Sequence, residues 1–335
     1  MNMPPRATTL LIWLLAAVPL SAHPGAHHDI ERLTRLLTVS PDQPELLTQR
    51  GRCLRIEGRL SESLADLDRA VALTPRNPEA HLNRGLTLAA LRRIGEAHRE
   101  FTICLLLDPT HVASLAARAR VARVAVADCL RSPICPLDRR STPPSPIECG
   151  LPGPLQLMCA RSHLLFAVDD LNAALAIHPD VELAVRRAHL LESLGRPDEA
   201  ADGLHDMLAK LSGAVVLRLE LVRLETVRGR YTDAVALINE AMSSATNKAD
   251  WLLRRADVHA AAGDATAARG DREAALAETD QAVSHRATAL HLVQRARAYL
   301  ALGRRDRAAD DVRAALQRSP RYVAAQDLAR QLNVR

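Results

Sequence analysis

Proline and glycine recur in this chain at a fixed step: Pro41, Pro75 and Pro109 stand thirty-four residues apart, and Gly51 and Gly85 repeat the interval. A period of that length marks a supersecondary unit that cannot bury its apolar face alone, so the chain is constrained to an array of stacked units. The first unit, 44–77, shows what repeats. Leu47, Gly51 and Leu54 share one helical face at spacings of four and three, and Leu64, Leu67, Ala70 and Val71 do so again after a break at Gly58. Leu73 and Pro75 close the unit, since proline has no N–H with which to continue a helix. Each period is therefore expected to hold two helices and a turn.

The second unit, 78–111, repeats the scheme with Gly85, Leu88, Ala97, Phe101, Leu105, Leu107 and Pro109. Later units start near Val181, Val215, Ala249 and Ala289. Each has a turn glycine (Gly195, Gly229, Gly263, Gly303) and an alanine five residues on (Ala200, Ala234, Ala268, Ala308), where a small side chain lets two helices approach. A helix from about His28 to Val39 looks like the second half of a unit and would cap one end. At the other end Tyr322 to Leu332 offers Tyr322, Leu328 and Leu332 to cover the last unit.

Glycine at the eighth position (Gly51, Gly85), alanine at the twentieth (Ala97, Ala167, Ala200, Ala234, Ala268, Ala308) and proline at the thirty-second (Pro75, Pro109, Pro179, Pro320) resemble the tetratricopeptide repeat over about 44–320. The aromatics depart from that pattern. The family often has tryptophan and tyrosine in the first helix, and here Tyr299 stands at the eleventh position with Trp251 one place early. The resemblance implies an all-α superhelical solenoid of about seven antiparallel helix pairs, with no resident cofactor or metal. A histidine-rich N-terminus followed by repeats also resembles exported bacterial envelope proteins of this family.

The third unit is interrupted. Its first helix reads Val112 to Val126 and its second resumes near His163, and Pro109 to Pro179 spans seventy residues, so about thirty-six are inserted. Segment 128–162 carries Pro133, Pro136, Pro143, Pro144, Pro146, Pro152 and Pro154 and no aromatic residue, and is expected to project as a non-helical loop. Cys129, Cys135, Cys149 and Cys159 lie in or beside it. In an oxidising compartment they could form one or two disulfides, with three complete pairings open. A flexible, partly reduced loop is the plainer reading, and the spacings lack the paired C-x-x-C of a zinc site. Cys53 and Cys104 fall within repeat helices and read as small core residues.

Residues 1–22 place Arg6 before an uncharged run from Leu10 to Leu20 and a small-residue end at Ser21 and Ala22, the pattern of a cleaved secretory signal. The alternative is an N-terminal membrane anchor, for which about eleven apolar residues are short. Export makes the mature chain periplasmic or secreted, beginning with a leader in which His23, His27 and His28 could hold a metal transiently. The remaining divisions are 23–43 for leader and capping helix, 44–320 for the array and 321–335 for the C-terminal cap. The formal charge is +5, the basic residues are almost all arginine, and aromatics make up 2%. Basic clusters with stacking aromatics are not seen, which argues against a nucleic-acid partner.

Motifs of nucleophile elbow, phosphate loop or zinc-dependent hydrolysis are missing from the sequence, so no enzyme is expected. Asp66, Asp170 and Asp311 share one repeat position and read as outer-face residues. In the resembling family the first helices line a concave groove. Carried over, its positions include Thr48, Arg52, Arg55, Leu82, Leu86, Arg120, Arg123, Val185, His189, Leu219, Arg223, Leu253, Asp257, Val293 and Arg297. Arginines between leucines suit a protein segment or extended peptide, acidic in character, unless the arginines are simply solvated or already paired with acids such as Glu45, Glu79 and Glu192. The expected function is a non-catalytic protein-binding scaffold. The alternative is an assembly subunit of a cell-envelope complex docking through 128–162, with a hydrolase third.

Overall fold

The computed structural model of the protein describes residues 24–129 and 153–334. Among them are sixteen α-helices and no strand. They divide into two compact units, one ending at His178 and the other beginning at Pro179. The first holds α1 (Pro24–Val39) and three helix pairs: α2 (Pro44–Ile56) with α3 (Leu60–Leu73), α4 (Pro78–Ala90) with α5 (Ile94–Leu107), and α6 (Val112–Cys129) with α7 (Gly153–Ile177). The second holds four pairs, α8 (Val181–Ser193) with α9 (Pro197–Lys210), α10 (Val215–Val227) with α11 (Tyr231–Ser244), α12 (Ala249–Ala261) with α13 (Ala265–His285) and α14 (Ala289–Ala301) with α15 (Arg305–Arg318), followed by α16 (Val323–Leu332).

In the first two pairs a glycine faces a large side chain. Gly51 lies against Leu67, and a Cβ on it would meet Leu67 Cγ at 2.7 Å; on Gly85 it would meet Phe101 Cε1 at 2.5 Å. Phe101 is fully buried, so the glycine is what lets α4 and α5 close upon it. The alanines at the twentieth position are likewise buried in every pair that has one. In the first pair Ser63 stands there instead, bonding the Gly51 carbonyl at 2.7 Å and the Thr87 hydroxyl at 2.9 Å. Between the helices of five pairs a glycine takes φ of 74° to 85°. Its N–H and the next reach back to carbonyls of the first helix, as Gly58 to Arg55 and Arg59 to Leu54.

Buried charge at one repeat position is the feature the sequence reading misplaced. Asp66, Asp170 and Asp311 are not outer-face residues but buried ones, and so is Asp271. Each accepts two hydrogen bonds from an arginine at the seventh position of its own pair: Arg50 (2.7 and 2.7 Å), Arg118 (2.9 and 2.6 Å), Arg255 (2.9 and 2.6 Å) and Arg295 (2.8 and 2.7 Å). The remaining guanidinium nitrogen reaches the second helix of the preceding unit, at Thr34, Thr102, Asn239 and Asp280 respectively. One arginine thus ties three helices. Planarity makes this possible, because a guanidinium can present two parallel donors to a carboxylate and still have one free. In the second pair Arg84 does the same work between Glu100 at 3.3 Å and Asp68 at 2.8 Å.

One further expectation needs adjustment. Helix α7 starts at Gly153, ten residues before His163, because Pro154 falls in the first turn, where its missing N–H costs no helical bond, and no proline or glycine follows until α7 is complete. Arg118 and Asp170 are 52 residues apart where the other pairs are 16, so the insert leaves their register intact. Segment 130–152 with Cys135 and Cys149, the side chains of Cys129 and Cys159, and the leader and signal 1–23 lie outside the described residues. Cys104 is buried and bonded by Ser114 Oγ at 2.9 Å, while Cys53 is half-buried.

Candidate functional site

In the first unit α2 packs on α4 and α4 on α6; in the second α8 packs on α10, α12 on α14 and α14 on α16. First helices that touch one another directly line one face of each unit, and this is where the ninth and twelfth positions project. In the first unit that face carries Arg52 and Arg55 on α2, Leu86 on α4, and Arg120 and Arg123 on α6. Arg52, Arg120 and Arg123 are exposed, and Arg55 and Leu86 half-buried. Two carried-over positions do not reach solvent. Thr48 is buried and bonds back to the Pro44 carbonyl at 2.8 Å, and Leu82 packs inward. The fifth position therefore belongs to the packing between helices, as it does at buried Val293.

Arg55 is the unusual member. Its Nε is buried with no hydrogen-bond partner, and among the described residues no carboxylate pairs with it or with Arg52. Burial, reinforced by the positive charges of Arg52 and Arg120, pulls the Arg55 guanidinium below its ordinary range. Burial disfavours this charge, and a carboxylate brought against it would restore what desolvation takes away.

The same face of the second unit is neutralised internally. His189 and Glu192 on α8 meet Glu220 and Arg223 on α10, with His189 Nε2 2.7 Å from Glu220 Oε1, and Arg223 bonding Glu220 at 2.6 Å and also Glu192. Burial disfavours the Glu220 carboxylate, but bonds from His189 and Arg223 outweigh it and hold its pKa down at about 2. Val185, Leu219 and Leu253 are half-buried around the same register, and Asp257 is exposed. Arg297 lies 3.8 Å from Asp250. The alternative that the arginines are solvated or paired with acids thus holds for paired Arg223 and Arg297 and for exposed Arg52, while Arg55, half-buried, departs from it.

A family model described as TPR repeat matches residues 51–91. The inactive TPR repeat-containing thioredoxin TTL3 of Arabidopsis thaliana is 37% identical over 70 residues, which are 21% of this chain and 10% of that protein. Tetratricopeptide repeat protein 13 of Homo sapiens is 32% identical over 88 residues, 24% of this chain and 10% of that protein. The chain spans about a tenth of the length of these curated relatives. Among solved structures, a tetratricopeptide repeat protein from Parabacteroides merdae is 19% identical, covering 86% of this chain and 98% of that one, with a TM-score of 0.45. The TPR match runs from within α2 through α3 to the end of α4, so a TPR repeat lies in the first unit, and in every pair but the interrupted third the second helix starts sixteen residues after the first.

Proposed function

We propose that this chain is a non-catalytic scaffold that binds an acidic protein segment, in extended form, along the face of α2, α4 and α6. The observation that carries this reading is Arg55, partly desolvated, without a carboxylate, and set beside Arg52 and Arg120. Leu86 between them supplies an apolar contact for the backbone of such a segment. Favourable charge here acts on both approach and residence, and reversal adds repulsion to the loss of attraction. The signal-like segment 1–22 supports the further proposal that binding takes place after export.

Fluorescence anisotropy with a labelled Glu- and Asp-rich peptide tests the site, with a Gln- and Asn-substituted peptide as control. Arg52→Glu combined with Arg120→Glu should weaken capture of the acidic peptide more than tenfold and remove its salt dependence, leaving helicity unchanged. Equal affinity for both peptides, or no loss in the folded double variant, rejects the reading. N-terminal sequencing of the mature chain from an expressing bacterium checks the export proposal, which fails if Met1 is retained.

A further inference from the structure

The cluster on the second unit contains more donors than its own arginine requires. Glu192 and Glu220 are two carboxylates facing a single guanidinium, and His189 adds an imidazole nitrogen whose ring stands on the same side. One ligand atom from each of His189, Glu192 and Glu220 lies within 4.8 Å of the other two. The three side chains come from two helices that pack directly on one another, so their backbones are fixed in relation to each other. His189 and Glu192 are one turn apart on α8 and project together, and Glu220 faces them from α10.

We propose that His189, Glu192 and Glu220 form a binding site for a divalent transition metal, of the zinc or cobalt kind, in which Arg223 is the resident counter-charge that the ion must displace. One imidazole nitrogen with two carboxylate oxygens is a donor set that such ions accept, with water completing a four-coordinate shell. Bonds of about 2.0–2.2 Å would require the donor atoms to draw closer than they now stand, which rotation about the Glu192 and Glu220 side chains can supply. Arg223 occupies the centre of the cluster but is not locked into it. It belongs to the same helix as Glu220, three residues on, and its side chain is 42% exposed, so it can turn out to water without moving the backbone.

The sequence gives no notice of this site, because the third donor follows the second by twenty-eight residues and lies on the next helix pair. Arg223 also explains why the cluster is stable while empty. The arginine satisfies both carboxylates in the free protein, and metal affinity is then the difference between the two occupants.

Cobalt chloride titrated into the full chain, followed by visible absorption and by calorimetry, tests the proposal. The histidines of the leader and the cysteines can bind metal too, so the measurement is the difference between wild type and variants. Wild type should bind one Co²⁺ more than His189→Ala or Glu220→Gln, and that ion should show no sulfur-to-cobalt charge-transfer band. Arg223→Gln should bind it several-fold more tightly, because the competitor is gone. Circular dichroism of each variant verifies that the helices persist. Equal cobalt binding by wild type and both ligand variants overturns the site, and binding by Arg223→Gln no tighter than wild type overturns the role given to the arginine.

Discussion

The guanidinium of Arg187 fills the space that a side chain on Gly203 would take: a Cβ there would stand 2.0 Å from Arg187 Nη1. Gly203 holds, in the fourth pair, the place that Asp66, Asp170, Asp271 and Asp311 hold in theirs. Burial pulls the Arg187 guanidinium below its ordinary range. Gly203→Asp should therefore stabilise the second unit. It removes a glycine from a helix interior, worth only about 0.3 kcal/mol when aspartate replaces it, and offers the arginine a carboxylate at the repeat position its counterparts use. The contact is with the tip of a flexible side chain, which can give way. Urea unfolding followed by circular dichroism should show a higher midpoint for Gly203→Asp and a smaller rise for Gly203→Ala, which shifts the guanidinium without adding a carboxylate. A lower midpoint for Gly203→Asp would show that Arg187 cannot move.

The fifth pair gives the opposite experiment ready made, with Leu221 and Leu237 where other pairs have arginine and acid, both buried. Asp66→Leu alone should cost about 2–3 kcal/mol, since it leaves Arg50 partly buried with only Thr34 as a partner. Adding Arg50→Leu should recover most of the loss, because an apolar pair of similar volume needs no desolvated charge. A double variant as unstable as the single would mean that the ion pair itself, and not the avoidance of a lone charge, holds α2 and α3 together.

Most of the fold was legible because it is written in small residues at a fixed step. All seven pairs begin at the residues read as unit starts, although the step lengthens to forty between Ala249 and Ala289, and Gly51 and Gly85 meet large side chains as the spacing requires. What the frame could not show was the partner of each charge. Asp66 and Asp311 look like solvated helix residues in sequence, since their arginines lie sixteen positions earlier, on another helix and outside the apolar pattern. Aligning the seventh position across units (Arg50, Arg84, Arg118, Arg187, Arg255, Arg295) was the signal available. The binding face was legible only as a set of positions. Whether an arginine there is free, as Arg52 and Arg55 are of carboxylates, or held, as Arg223 is, depends on acids one pair away.

His81 gives the protein a pH dependence of known sign. It replaces the leucine found at the same place in the first, third, sixth and seventh pairs (Leu47, Leu115, Leu252, Leu292) and is buried. Its Nδ1 lies 2.8 Å from Glu100 Oε2 and its Nε2 2.9 Å from the Pro75 carbonyl, two acceptors that only an imidazolium can satisfy together. The bond to Glu100 opposes burial and raises the His81 pKa above 6.5. A raised folded-state pKa means stability that is fully present below 6.5 and is lost as pH climbs through the folded value. Thermal unfolding of wild type should thus decline from pH 6 towards pH 9, and that part of the decline should be absent in His81→Leu. The same slope in both proteins would remove His81 as its source.

Among the described residues, Arg92 is the one turn residue that lacks what its position asks for. Its φ is 63°, while Gly58, Gly195, Gly229, Gly263 and Gly303 occupy the equivalent place at 74° to 85°. A residue with a Cβ is strained in the left-handed region by about 1 kcal/mol, whereas glycine enters it freely. Arg92→Gly should raise stability by about 0.5–1 kcal/mol, the conformational gain being reduced by the wider freedom glycine brings to the unfolded chain. Arg92→Ala is the control, because it removes the same side chain and keeps the Cβ. If the strain argument is right, urea midpoints rank glycine above arginine and alanine; if the two substitutions shift the midpoint equally, the effect lies in the arginine's contacts and not in its backbone.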